Sequence, residues 1–268
     1  MPEHAQPRSL GLNVEVALAA FCRDDPGRSA AVSCAAAGPG LIGLGHDIPR
    51  PAASVMKVPL VMALYDKAAA GELLLGEAVA VRDLGSTRYA SILAAFDPGR
   101  SLSLGEVAAL ALIVSDNPAT EHVLTRVGYG DVAAVLQRCG CSPAARMAAG
   151  FAEHELGRAN RVNVLTAGDA VRIFDAMLKE PRYAPIVRVL ENNLRNNRIP
   201  ALLPEDIVVA HKTGSLDGVV NNAGVVSFGG RAFTLAVLTD NQPDPIATSR
   251  DIAELALTLS GLLLGHPA

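Results

Sequence analysis

Ser54-Val55-Met56-Lys57 sets a hydroxyl and an amine three residues apart, and on a helix that spacing puts both on one face. An amine kept neutral by burial can take the hydroxyl proton, and the serine oxygen can then attack a carbonyl carbon. Two more strings follow, Ser115-Asp116-Asn117 at 61 positions beyond Ser54 and Lys212-Thr213-Gly214 at 97 beyond Ser115. In this chemistry Ser115 relays a proton between Lys57, the nucleophile and the leaving group, and the Asn117 amide donates to a substrate carbonyl. Asp116 reads as structural. Lys212 adds positive charge beside Ser115, Thr213 donates to a substrate carboxylate, and Gly214 lets a strand backbone approach closely. The N–H groups of Ser54 and Ser215 complete an oxyanion hole. The expected catalytic set is therefore Ser54, Lys57, Ser115 and Lys212, with Asn117, Thr213, Gly214 and Ser215 binding the substrate.

Each string taken alone has an ordinary explanation. Serine is a preferred helix N-cap, Asn-Pro opens helices, and a lysine at a strand end is common. Only the ordered set, with each string on the element its chemistry requires, singles out acyl transfer. Ser54 must stand at the N-terminus of an apolar helix, where the macrodipole favours developing negative charge. Lys57 must be desolvated, which its neighbours Val55, Met56, Val58 and Pro59 allow.

The elements that hold these residues follow from periodicity and punctuation. Residues 10–21 read as an amphipathic helix, and 29–36 and 41–44 as strands joined at Gly38-Pro39-Gly40. Helices are expected over 54–70, from a Ser103/Glu106 capping box toward 115, and over 118–127, 131–138, 169–179 and 185–196. Strands return at 206–212, 219–228 and 231–238, the last two joined by Gly229-Gly230, and a helix over 246–264 closes the chain. Residues 1–50 and 205–268 thus share a sheet as an α/β lobe, residues 51–204 form an inserted all-helical lobe, and the pocket lies in the cleft between.

Composition limits the partner. Of 268 residues half are apolar, and 23 basic against 27 acidic side chains leave a net charge of -4 with no basic cluster. Nucleic acid is excluded on that balance, and a small-molecule or peptide-like acyl substrate is expected. The longest apolar runs, 58–64 and 255–264, are too short to span a bilayer. No basic start with an apolar stretch after it opens the chain, and Cys139 and Cys141 stand one residue apart, a poor spacing for a mutual disulfide. Reduced thiols and a cytoplasmic location are expected, although a secreted protein trimmed of its leader would read the same way. Oligomeric state is left open.

Taken together, Pro51-Ala52-Ala53-Ser54-Val55-Met56-Lys57, Ser115-Asp116-Asn117-Pro118-Ala119-Thr120 and Ala210-His211-Lys212-Thr213-Gly214-Ser215 resemble the class A β-lactamase-like serine hydrolases, relatives of penicillin-binding proteins. The resemblance covers nearly the whole chain. It implies a five-stranded antiparallel sheet with flanking helices and an acyl-enzyme on Ser54, with neither metal nor organic cofactor. The lactamases of that family carry a Glu four residues before an Asn on a loop, which activates the water that frees the acyl group. Here the matching stretch is 151–166, where Asn160 and Asn163 are preceded at that spacing by Leu156 and Ala159. Glu155 and Glu153 are the candidate deacylation bases, with His154 beside them. Where the family's carboxylate-binding Arg would stand there is Asn222; Arg231 and Arg195 are the available substitutes, neither assignable from sequence and each read first as a surface or structural arginine. His211 points away from Lys212 by strand alternation and reads as structural.

The leading expectation is an acyl-enzyme on Ser54 formed from a β-lactam or a related amide or ester. Alternatives are a cytosolic biosynthetic esterase, thioesterase or amide-forming acyltransferase, and a non-catalytic module binding β-lactams or peptides. The intact quartet argues against the last, since a binder has no need of a nucleophile beside a buried base.

Overall fold

A computed structural model describes residues 7–38, 40–87, 90–152 and 162–266. The two ends of the chain build one sheet. β1 (Arg28–Ser33) pairs with β2 (Leu41–Leu44) on one side and with β9 (Arg231–Thr239) on the other, and β8 (Val219–Phe228) and β7 (Val208–Leu216) continue it. The order is β2-β1-β9-β8-β7, antiparallel throughout. Gly229 and Gly230 make the β8–β9 turn with φ of 56° and 78°, values at which a side chain is strained, so the expected Gly-Gly hairpin forms for that reason.

Alternation along the strands sorts the two sheet faces by size. One presents Val32, Val226, Phe233, Leu235 and Val237 to α1 (Pro7–Cys22) and α8 (Pro245–Leu264), which contribute Val14, Leu18, Ile252 and Leu259. The other presents the small side chains Ala31, Ala210, Ala223 and Ala236. Those alanines let α6 (Ala167–Lys179) lie close across the sheet, and Asp175 ties it down by accepting from Ser33 Oγ (2.7 Å) and Thr234 Oγ1. Beyond α6 pack α2 (Lys57–Ala69), α3 (Leu104–Ile113), α4 (Asn117–Val127), α5 (Tyr129–Arg138) and α7 (Ala184–Glu191). One cluster of buried side chains runs from Val123 and Leu136 through Met62 and Phe174 to the alanine face.

Several boundaries differ from the sequence reading. Ser54 does not begin an α-helix: Ala53–Met56 is a 3₁₀ turn, and α2 starts at Lys57. β7 does not stop at Lys212 but runs on to Leu216, because β8 pairs with it residue by residue as far as Val219. β1 ends at Ser33, before a 3₁₀ turn over Ala35–Ala37, and α7 ends at Glu191. The Ser103/Glu106 capping box is present. Two short pairs were not foreseen: β3 (Arg50–Pro51) with β6 (Val164–Leu165), and β4 (Ala78–Ala80) with β5 (Ser101–Ser103). Two- and three-residue strands carry too little periodicity to read.

Candidate active site

The segment ahead of Ser54 is clamped on both sides. Ala52 N–H donates to Asn163 O, and the Asn221 amide donates to Pro51 O (2.8 Å) while its oxygen accepts Thr239 N–H. Asn163 spends its own side chain on the backbone of Ala148 and Ala149, so it is a structural residue. These anchors hold Ala53 at φ 48°, an uncommon value for a side-chain-bearing residue, and that bend throws the half-buried Ser54 toward β7.

Gly214 explains how closely the two elements meet. A Cβ there would stand 2.9 Å from Ala53 Cβ and 3.1 Å from Ser54 N. β7 is an edge strand. Ser215 faces Val220, which turns both its N–H and its C=O to the Thr239 hydroxyl on the far side. In an antiparallel ladder such a pair turns away from each other, so the Ser215 N–H faces the open edge where the Ser54 turn packs. The two N–H groups expected in an oxyanion hole therefore border the same gap.

Lys57 lies at the centre, wholly buried. Its Nζ donates to Ser115 O (2.8 Å) and Asn117 Oδ1 (2.8 Å), with Ser115 Oγ at 3.2 Å. Ser115 is in the left-handed region (φ 61°), in the turn between α3 and α4, which aims both its carbonyl and its hydroxyl at the amine. Burial pulls the Lys57 amine down to about 7, with Asp116 opposing and Arg195 adding to the fall. No hydrogen bond joins Lys57 to Ser54 among the described residues. The spacing suggested direct contact, whereas the amine is turned to Ser115 and Asn117. Because Asn117 Oδ1 accepts from Lys57, the NH₂ is the end of its amide turned away from that amine. Asp116 caps α4 through Ala119 N–H and accepts from Ser91 Oγ and Ile92 N–H, a structural use of its carboxylate.

Lys212 is also wholly buried, and its Nζ donates to Thr213 O (2.9 Å). Burial first, then Lys57 and two arginines, push its amine well below the ordinary range. Lys57 thus works against a charge on the Lys212 amine, which the sequence reading expected to be positive beside Ser115. His211 is buried with its ring between Asn222 Nδ2 (3.1 Å) and Asn196 Oδ1 (3.0 Å), and burial lowers it to about 3, so it stays neutral as a structural residue.

Arg198 is the residue that sequence reading missed. It is buried behind β7, and its guanidinium donates to Gly214 O (2.8 Å), Asn221 O and Ser215 Oγ. A guanidinium only donates, so the Ser215 hydroxyl must accept here and keeps its own proton for a partner in the cleft. Asn222, in the place expected of an arginine, instead braces the strand, through Lys212 O and Ile199 N–H. Arg195 stays at the rim, where Nε and Nη2 donate to Val114 O at 3.1 Å. Arg231 is excluded: it lies in the β8–β9 turn region and reaches Leu264 O. No local motif marks Arg198, since it sits between a helix and a strand beside Pro200. Among the described residues Lys57, Lys212, Arg195 and Arg198 form no salt bridge.

Phe151 was also unforeseen; its ring covers Lys57 Nζ at 4.8 Å from the centroid. Glu153, Glu155, His154 and Asn160 lie outside the described residues. Among those described, no group of His, Cys, Asp and Glu could hold a metal ion, all four cysteines are free, and no helix is long and apolar enough to cross a membrane.

No curated protein matches the sequence. Solved structures do. A β-lactamase from Sphaerobacter thermophilus DSM 20745 is 25% identical over 96% of this chain and 98% of its own, with a TM-score of 0.85. A representative of class A β-lactamase from Bacteroides cellulosilyticus DSM 14838 is 22% identical over 98% and 100%, with a TM-score of 0.84. A leucine-to-glutamate variant of PBP-A, solved as an acyl-enzyme complex with penicillin G, is 20% identical over 97% of both chains, with a TM-score of 0.77. The family profile described as "Beta-lactamase enzyme family" matches residues 14–261. With nearly its whole length inside that match, the chain belongs to the β-lactamase enzyme family of serine hydrolases.

Proposed function

We propose that this protein forms an acyl-enzyme on Ser54 with a β-lactam or a related amide or ester that carries a carboxylate. The observation that carries the reading is Lys57: a wholly buried amine with no carboxylate partner, drawn to about 7. At neutral pH a large share is free base, ready to take the Ser54 proton as Oγ attacks the carbonyl carbon. The oxyanion gathers at the N–H groups of Ser54 and Ser215. As the bond from carbonyl carbon to leaving group breaks, the proton passes from Lys57 through Ser115 Oγ to the departing atom. Ser215 and Thr213 hydroxyls receive the carboxylate, and its charge favours protonation of Lys212. The penicillin-bound acyl-enzyme of the PBP-A variant supports a lactam as acyl donor. Glu153 and Glu155 are given no role in this scheme.

A second reading is favoured by the four free thiols, which suit a reducing, cytoplasmic setting and hence a biosynthetic ester, thioester or amide as donor. One experiment tests both. The protein and Ser54→Ala are incubated with a chromogenic cephalosporin, benzylpenicillin and activated esters and thioesters, while ring opening and intact mass are followed. A Ser54-dependent adduct or turnover is expected, and the donor that acylates fastest names the substrate class. No adduct and no turnover with any donor overturns the acyl-enzyme reading.

A further inference from the structure

We infer that the acyl donor carries a second anionic group on its leaving portion, a carboxylate, sulfonate or phosphate, and that Arg195 at the rim of the site receives it; this rests on the acyl-enzyme reading above. Arg195 is exposed, and its Nε and Nη2 both donate to Val114 O at 3.1 Å, on the residue just before Ser115. One edge of the planar guanidinium is thus spent on the backbone. The other edge, Nη1 with the second Nη2 hydrogen, keeps the forked pair of donors that fits two oxygens of one anion. No carboxylate competes for it, since Arg195 forms no salt bridge among the described residues.

The loop beneath this guanidinium is tied down on both sides. Leu194 N–H donates to Ile113 O (3.2 Å), and Arg195 N–H donates to Asn193 Oδ1 (2.8 Å). The buried Asn193 in turn donates through Nδ2 to His211 O (2.9 Å), beside Lys212. Arg195 therefore hangs between the end of α3 and β7, and an anion arriving there meets donors already oriented. Its charge is felt across the site, for it works against protonation of Lys57, Lys212 and Arg198. One substrate carboxylate goes to the Ser215 and Thr213 hydroxyls in the scheme above. A second anion on the open edge of Arg195 answers the remaining field at its source. Ser115 Oγ hands its proton to the departing atom, so a group held beside Val114 belongs to the leaving portion and not to the acyl chain kept on Ser54.

Cefamandole and cefonicid form the probe pair. They share the acyl side chain and the ring carboxylate, and differ in a methyl against a sulfomethyl group on the tetrazole carried by the leaving portion. Acylation of Ser54 is followed over a range of donor concentrations by absorbance and intact mass, in wild type, Arg195→Leu and Arg195→Lys, each first shown by thermal melting to be folded. Wild type is expected to favour cefonicid about 10-fold or more, the range of a hydrogen bond to a charged group. The gain should lie in the half-saturating concentration, with the limiting rate little changed. Arg195→Leu should take both donors alike, and Arg195→Lys should keep only part of the preference, because an ammonium lacks the fork. Wild type that takes both donors equally overturns the inference. So does Arg195→Leu that keeps the preference, including by slowing both donors by one factor, which would make Arg195 a brace for the Ser115 turn. Either result leaves acylation of Ser54 standing. If no adduct or turnover appears with any lactam or activated ester, the acyl-enzyme reading fails and the inference falls with it.

Discussion

Lys57 costs stability to stay uncharged, and pH reports that cost. Its amine ordinarily titrates at 10.5 and in the fold at about 7. Between those values the unfolded chain binds a proton that the folded site does not, so stability rises with pH across that window. Melting temperatures of wild type and Lys57→Met, measured from about pH 7 to pH 10, should show wild type gaining on the variant as pH rises; a constant difference would contradict the burial argument. In the same protein, acylation should climb roughly tenfold for each pH step below about 7 and then level. Arg198 acts on Ser215 rather than on the reacting atoms, so its removal should touch binding. Arg198→Leu is expected to raise KM for a carboxylate-bearing lactam about tenfold or more with a smaller change in kcat, and to spare a neutral ester. Equal loss on both donors would make Arg198 a strand brace and no more. Arg198→Lys should not rescue, because one ammonium cannot span Gly214 O, Asn221 O and Ser215 Oγ together.

The site is made by two elements meeting: a 3₁₀ turn and an edge strand. Gly214 sets their separation, and an added methyl would run into Ala53 Cβ and Ser54 N. Gly214→Ala should push β7 off the turn, open the oxyanion gap and slow acylation by roughly 100-fold, the scale of losing one donor there. Stopped-flow acylation with a chromogenic cephalosporin measures it, and a rate within a factor of two of wild type would show that β7 can yield. At this scale most elements were legible, because the Ser103/Glu106 box, the Gly-Gly hairpin and the Pro-bounded helices are local signals. Ser54 was misplaced onto a helix because a 3₁₀ turn and a first α-helical turn share their sequence preferences. What distinguishes them here is the pair of remote anchors, Asn163 and Asn221.

Across the molecule, the sheet separates two packed faces. The alanine face supports the site through α6, whereas α1 and α8 only back the sheet. Leu259→Ala, at a fully buried position of the backing face, should cost about 2–5 kcal/mol in urea unfolding. The folded variant should still acylate Ser54 at the wild-type rate. A matching loss of acylation rate would mean that packing on the back face reaches the site through the sheet.

Residue type and order were enough to point to the serine hydrolase family in which the chain belongs: a serine, an amine one turn on, a second serine with an amide, and a lysine beside a glycine. Local punctuation was enough to outline the elements that carry them. Tertiary structure alone decided the electrostatics, because a lysine's proton affinity depends on what surrounds it and not on its neighbours in sequence. It also brought in Arg198 and Phe151, which lie 144 and 97 positions from Ser54 and carry no motif. Their roles arise from backbone carbonyls and ring faces that meet the site only when the sheet edge and the loop after α5 close around it.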